Sequence, residues 1–572
     1  MQLEAIYHKP YSEYAYPDEN NTLVIRLKTK KNDIEACILI YHEKYDPSLK
    51  GSVQMEMVCS DQLFDYYEAR LSVGIKRFKY MFYLEDHLER KWYNQNGFFN
   101  YRPENGQFCY SSISKEDVIS EVDWFVNSSI YQIFPDRFCR HQNTSISENS
   151  FHGGNIKGVI SKIDYLVDLG VNAIYLNPIF KSGSYHRYDI EDFFSIDPVF
   201  GDKEELKKLI ELCHDKGIKV IFDGVFNHCS DKFFAFYDVK QNGLNSEYKD
   251  WFHIRSYPIY SGNRPNYECF SYFGDMPKLN TGNPQVAKYI IEVVKYWTLE
   301  FGVDGWRFDV ADEIDRKFWR ELRLRVKEYN KDIVLIGEIF DEASSWLNGD
   351  QFDSVTNYPL KALIDDLFAY RSVDAEGFKL RVNNYLMKFR SSVTVSMLNI
   401  IGTHDTSRFL TLCANAEERF ELAVVFQFTF PGVPLVYYGD EIGMTGEGDP
   451  HCRKPMIWDE SKWNMNILRL YRFLIALRKR NKVIRNGKYR DVRVDGDKGI
   501  LAYMRENDSA LIIVVMNTSP KKVSGIIDTG DFSYTTNVLE CLNTKTLYQL
   551  DANRLKLELR PYEWRILKPV LN

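Results

Sequence analysis

Between residues 130 and 438 the chain repeats one pattern eight times: a short apolar run, then a stretch with helical periodicity. The apolar runs are Ile130–Phe134, Ala173–Asn177, Val220–Gly224, Gly305–Asp309, Val334–Glu338, Ser354–Asn357, Met397–Ile401 and Pro434–Tyr438. Amphipathic segments lie between them, among them Lys203–Lys216, Pro284–Phe301, Asp315–Tyr329 and Ala416–Phe428. Near-continuous apolar runs mark strands buried on both faces, and parallel strands need crossover helices. Eight such units predict a (β/α)8 TIM barrel.

One interval breaks the rhythm. Gly224 and Gly305 are about 80 residues apart, where a loop and a helix need roughly half that. The excess, 228–280, is rich in Tyr, Pro, Gly and Asn and reads as a subdomain inserted after the third strand. On either side of the barrel the pattern changes to period two. Leu23, Ile25 and Leu27 alternate with polar residues, as do Ile34, Ala36, Ile38 and Ile40, and Phe78, Tyr80 and Phe82. Ile500–Met504 and Leu511–Met516 read as strands near the other end. The predicted organisation is an N-terminal β-sandwich over 1–120, the barrel over 121–490, and a C-terminal β-sandwich over 491–572.

Composition removes several classes of function. With 73 Lys plus Arg against 80 Asp plus Glu, the net charge of −7 offers no attraction for nucleic acid or an anionic membrane. No stretch approaches the ~20 apolar residues of a membrane span, and the N-terminus lacks the basic and apolar regions of a signal peptide. Ten cysteines lie far apart with no C-x-x-C, which predicts buried free thiols in a reducing compartment, the cytoplasm. The 38 Tyr, 37 Phe and 10 Trp supply core, and some could line a site for a ligand with flat apolar faces, such as a sugar ring.

In a barrel of this kind the active site sits at the C-terminal ends of the strands. There the sequence places Asp309 after the fourth run, Glu338 after the fifth, His404 and Asp405 after the seventh, Asn227 and His228 after the third, and Arg307 beside Asp309. Any one of these carboxylates could simply cap a helix, and a lone His or Arg could be structural. Four strands ending this way, with no nucleophilic Ser or Cys motif, favour glycoside chemistry. Retaining hydrolysis needs an ionised carboxylate nucleophile and a protonated carboxylic acid. Arg307, two residues from Asp309, would hold the Asp309 pKa down, and Glu338 would be the acid, kept protonated by burial or by a second negative charge. Asp405 could favour the oxocarbenium-like transition state.

The segments DGVFNH (223–228), GWRFDVADEI (305–314), GEIF (337–340) and IIGTHD (400–405) resemble, in order, the four short motifs of the α-amylase superfamily of glycoside hydrolases. MPKLN (276–280), YKDWFHIR (248–255), GDQFDSVTNYPL (349–360) and YYGDEIGMTG (437–446) are similar to the cyclomaltodextrinase, neopullulanase and maltogenic amylase group. The resemblance runs from about Ile130 to Arg480. It implies that Asp309 is the nucleophile, Glu338 the acid/base and Asp405 the transition-state stabiliser. It also implies that Tyr188 stacks under the sugar, that His186, His228, Arg307 and His404 bind hydroxyls or orient carboxylates, and that Asp449 and Arg453 contact the donor-side sugar. The implied substrates are maltooligosaccharides, cyclodextrins and pullulan, cleaved at α-1,4 bonds. The implied assembly is a homodimer in which one N-terminal module covers the partner's site.

The sequence departs from the group at several places. Phe340 stands where the group has Trp, which keeps a stacking face but loses the indole N–H. Asp312 stands where the group has Asn, on the acceptor side, which leaves hydrolysis against sugar transfer open. A glucanotransferase acting on maltooligosaccharides is the alternative from the same fold, and a non-catalytic glucan-binding protein is the alternative from another class. The chemistry requires no cofactor. Many members bind calcium through the loop after the first strand, which here reads PDRFCRHQNTSISENS (135–150), and Asn155 replaces an Asp. Calcium prefers carboxylate-rich ligand sets, so weak or absent calcium binding is expected.

Overall fold

The computed structural model describes residues 1–18, 22–141, 151–507, 510–530 and 538–570. It divides into two units. One comprises Val122–Tyr370 and Ser396–Arg485; the other comprises Met1–Glu121, Arg371–Val395 and Asn486–Asn572.

The first unit is a closed barrel of eight parallel strands in sequence order: β1 (Ile130–Ile133), β2 (Ala173–Leu176), β3 (Lys219–Gly224), β4 (Gly305–Phe308), β5 (Val334–Ile339), β6 (Ser354–Asn357), β7 (Leu398–Asn399) and β8 (Val433–Tyr437). Closure is made by pairing Ile130 of β1 with Leu435 of β8. Ile130, Ala173, Ile221, Val334, Ile336, Leu398 and Leu435 fill one continuous core. Gly305 is required where β4 meets β5, because a Cβ there would lie 2.4 Å from Val334 Cγ1. β7 spans two residues where the sequence predicts five. The Asn399 carbonyl accepts instead from Gln427 Nε2 at 2.9 Å, so a side chain replaces part of the ladder.

The crossover helices start at side-chain caps. Asp202 accepts from Glu205 N–H at the start of Lys203–Asp215, and Asp315 from Phe318 N–H at the start of Arg316–Tyr329. Lys203–Asp215 buries Leu206, Leu209, Ile210 and Cys213, the i, i+3, i+4, i+7 stripe of an amphipathic helix. Asn283 caps Pro284–Phe301, which has Pro at its first turn and ends at Gly302, φ +76°. The insertion contains one α-helix, Phe234–Asn242, and two short 3-10 turns, Gly243–Asn245 and Lys249–Trp251, and isolated bridges such as His228 with Lys278 and Phe252 with Leu279 fold it back. Among the described residues no helix is long and apolar enough to cross a membrane.

In the second unit, residues 1–121 form a four-stranded sheet and a six-stranded sheet around Leu23, Ile25, Leu27, Phe78, Tyr80 and Phe82. One expectation is corrected here. In Ala36–Glu43 the buried face is Cys37, Leu39 and Tyr41, while Ala36, Ile38 and Ile40 are half-buried. Both parities of that strand are apolar, so alternation does not select the inner one. Residues 486–570 add a six-stranded and a three-stranded sheet, with the predicted strands inside Ile500–Asn507 and Ala510–Asn517. The segment Arg371–Val395, assigned to the barrel from sequence, clusters with these sheets. Arg26 Nη1 donates to the Phe389 carbonyl at 2.8 Å, and Asn383 Nδ2 to the Ser60 carbonyl at 2.9 Å. All ten cysteines are unpaired, but Cys59, Cys109, Cys139 and Cys269 are half-buried rather than buried.

Candidate active site

The barrel register brings one buried guanidinium to the C-terminal ends of three strands. Arg307 on β4 lies beside Asp223 on β3, and Glu338 sits two residues further along β5 than Ile336, the partner of Arg307. Arg307 Nη1 donates to Asp223 Oδ1 and to Asp309 Oδ1, both at 2.9 Å, and Nη2 donates to Glu338 Oε1. A planar fork that cannot deprotonate thus fixes the spacing of Asp309 and Glu338 through two nitrogens on one carbon. Arg307, Asp309 and Glu338 are all buried.

The backbone between β4 and the following turn is strained. Val310 has φ +46°, a conformation that β-branched residues rarely adopt. In it the Val310 N–H donates to Glu338 Oε2 at 3.0 Å, so each oxygen of Glu338 has a donor.

Burial raises the Glu338 pKa to about 7; the charge of Asp405 adds to the rise and Arg307 opposes it. The expectation for Asp309 is corrected. Arg307 does pull its pKa down, but burial and the neighbouring Glu338 outweigh it, and Asp309 is raised too. Desolvation of several carboxylates exceeds what one guanidinium offsets, so both members of the pair hold a proton more tightly than a free carboxylate does.

The other side of the mouth is built on His404 and Tyr188. Gln132 Nε2 donates to His404 Nδ1 at 3.0 Å, which leaves the ring proton on Nε2, beside the Tyr188 hydroxyl. Tyr188 donates in turn to Asp223 Oδ2 at 3.0 Å, and its ring lies parallel to that of His404. Burial, with the Arg453 and Arg307 charges, pushes the His404 pKa well below its ordinary value, so the imidazole is neutral. Asp405, the most open of the three proposed catalytic carboxylates at 30% side-chain exposure, accepts from Arg453 Nη2 at 3.2 Å. Arg453 also donates from Nε to the His404 carbonyl at 2.8 Å and pairs with Asp449 at 3.3 Å.

Direct bonds, bridged by Asp223 between Arg307 and Tyr188, therefore join Arg307, Asp309, Glu338, Tyr188, His404, Asp405, Arg453 and Asp449 into one network. His186 joins through its loop: its Nδ1 is 3.1 Å from both the Ser184 hydroxyl and the Tyr188 N–H. His228 stacks on Phe270 at 4.8 Å, and burial lowers its pKa to about 3. Phe340 is half exposed and stacks on Tyr358 at 4.0 Å.

Three participants escape the sequence reading. Asp223 accepts from Arg307, Tyr175 and Tyr188. It is the penultimate residue of β3, as Glu338 is of β5, and that shared position was the available signal. Tyr185 donates to Asp449 at 3.0 Å and accepts from Arg453 at 3.3 Å. Gln132, inside β1, carried no signal. The calcium expectation falls partly on 142–150, which lie outside the described residues. In the described part, Asp136 accepts from the His152 and Gly153 N–H groups and pairs with Arg137, while Asn155 Oδ1 caps a helix through Gly158 N–H. Those oxygens already hold protein donors, and no group of three acidic, His or Cys side chains suited to a metal occurs among the described residues.

A (β/α)8 barrel with paired carboxylates on one arginine at its C-terminal mouth is the architecture of a glycoside hydrolase, and this chain belongs to the α-amylase family. Residues 132–487 match its catalytic domain and residues 1–114 its N-terminal ig-like domain. The chain is 46% identical to a cyclomaltodextrinase of Thermoanaerobacter pseudethanolicus over 539 residues, 91% of this chain and 93% of that one. It is 40% identical to neopullulanase 2 of Thermoactinomyces vulgaris, over 99% of each. A solved cyclomaltodextrinase structure superposes with a TM-score of 0.94 at 37% identity, covering 99% of this chain and 100% of that one.

Proposed function

We propose that this enzyme cleaves α-1,4-glucosidic bonds in cyclodextrins, maltooligosaccharides and pullulan with retention at the anomeric carbon. The observation that carries the mechanism is the pair Asp309 and Glu338 held on Arg307, with Glu338 near pKa 7. Asp309 attacks the anomeric carbon as the bond to the glycosidic oxygen breaks, and the Glu338 proton passes to that oxygen. The Glu338 carboxylate then takes a proton from water, whose oxygen displaces Asp309 and regenerates the acid. Asp405 stabilises the oxocarbenium-like charge, and Tyr188 stacks under the ring. Neutral His404, His186 and His228 bind hydroxyls, Asp449 and Arg453 hold the donor-side sugar, and Phe340 offers an apolar face for the acceptor.

The substrate range is supported by the likeness to a cyclomaltodextrinase and a neopullulanase. Purified enzyme incubated separately with β-cyclodextrin, pullulan, soluble starch and maltotriose should attack the cyclodextrin fastest and starch slowest, releasing α-anomers. Release of β-anomers would contradict double displacement. Asp309→Asn and Glu338→Gln should each lose at least about 10³-fold in kcat with the fold intact. We place the enzyme in the cytoplasm, consistent with ten unpaired cysteines, and as a homodimer. Sedimentation showing only monomer at micromolar concentration contradicts the dimer.

A further inference from the structure

A second groove lies on the outer surface of the barrel unit, formed by residues the mechanism does not use. Its volume is about 800 Å³, within the range of small-ligand sites. One wall is the turn Lys249–Trp251 of the insertion with the preceding Glu247 and Tyr248; the other is the outer stripe of Pro284–Phe301, with Lys288, Tyr289 and Glu292. Those helix positions are spaced to share one face, opposite the buried Ile290, Val294 and Trp297.

The rings in this groove form a cluster. Trp251 is 5.1 Å from Tyr248 and 5.6 Å from Tyr289, and Phe234, 46% exposed, touches both tyrosines. Trp251 is fixed from behind, its Nε1 donating to Gln285 Oε1 at 2.8 Å. Tyr248 and Tyr289 remain half-buried, with part of each ring facing the groove. Exposed around them are the carboxylates Glu247 and Glu292 and the ammonium of Lys288. Trp251 is buried at the base of the cluster, whereas Tyr248, Tyr289 and Phe234 keep exposed ring surface that packing alone does not use. A protein-docking face would extend beyond one narrow groove and carry fewer charges at its centre. Rigid aromatic faces rimmed by carboxylates suit a neutral polyol chain: C–H faces lie on the rings while hydroxyls donate to the carboxylates.

We propose that this groove is a second, non-catalytic α-glucan site, which holds the same class of chain that the barrel mouth cleaves. The inference rests on the substrate class proposed above. It gives the enzyme a handhold on longer glucans away from the bond being broken, which raises the local concentration of cleavable chain.

The test uses the full-length Glu338→Gln enzyme, which binds without cleaving, titrated with maltoheptaose by calorimetry. Two binding events per chain are expected. Adding Tyr248→Ala should weaken the second event by about two- to tenfold. Adding Glu247→Ala, at an exposed position where the fold is not at risk, should weaken it in the same direction. In the otherwise wild-type enzyme, Tyr248→Ala should leave kcat/KM on maltotriose unchanged and lower the rate on soluble starch. A single binding event, or a second event indifferent to both substitutions, overturns the groove. Wild-type enzyme that cleaves maltoheptaose normally alongside that result leaves the proposed activity standing. Failure to cleave it removes the activity as well.

Discussion

At the scale of single residues the site is governed by crowded negative charge. As the proposed acid, Glu338 acts only while protonated, so kcat/KM should fall as pH rises through about 7. Asp223 contributes to the raised Glu338 pKa, and removing its charge removes part of that rise. In Asp223→Asn the upper limb of the pH profile should therefore move to lower pH. A limb that stays in place means that another group sets it. Val310 is the second residue-scale test. Its left-handed backbone costs about 1–2 kcal/mol, which Gly would not incur. Val310→Gly keeps the N–H that donates to Glu338, so it should melt no earlier than wild type and keep kcat within a few-fold. Collapse of turnover in a folded Val310→Gly protein would transfer the role from the N–H to the side chain. Asp309, Glu338, Arg307 and Asp405 are legible in sequence because they lie at or just beyond the C-terminal ends of apolar runs. The Val310 conformation is not legible, since nothing in VDGWRFDVADE distinguishes a strained residue from a relaxed one. The net direction of the Asp309 shift is hidden for another reason: it depends on burial, which adjacency to Arg307 cannot reveal.

At the scale of elements, sequence pattern works where it has one solution. The eight barrel strands are recovered because apolar runs bounded by capped amphipathic helices admit no other reading. Ala36–Glu43 fails in parity because Cys37, Leu39 and Tyr41 are as apolar as Ala36, Ile38 and Ile40, so the choice is made by the facing sheet. The caps have separable value. Asp202 holds the start of Lys203–Asp215 through Glu205 N–H at 2.8 Å, away from the catalytic network. Asp202→Ala should destabilise the fold by about 1 kcal/mol, read from chemical denaturation, and leave kcat on maltotriose unchanged.

At the scale of the whole molecule, the chain returns to the sheet unit twice after leaving it at residue 121, first for Arg371–Val395 and then from Asn486 onward. The first return was invisible because Ala375–Met387 has the periodicity of any crossover helix. Its anchor includes Arg26, buried and bonded to Glu68 at 2.9 Å as well as to the Phe389 carbonyl. Arg26→Ala leaves the half-buried Glu68 with only its longer contact to Arg70 and the Phe389 carbonyl without its donor, and should destabilise that unit by about 2–3 kcal/mol, seen as an earlier melting transition. The knot of carboxylates on Arg307 has the opposite thermodynamic sense. Groups whose pKa is raised in the native state bind more protons there than in the unfolded chain, so they lower stability as pH rises from the ordinary carboxylate range through about 7. The catalytic machinery is thus a mechanical load on the barrel that carries it. Asp309→Asn should melt later than the wild-type enzyme at pH 8, and that gap should narrow as the buffer is acidified toward pH 5. The chain has exchanged endurance for chemistry at this one arginine, and a calorimeter can read the exchange without any substrate present.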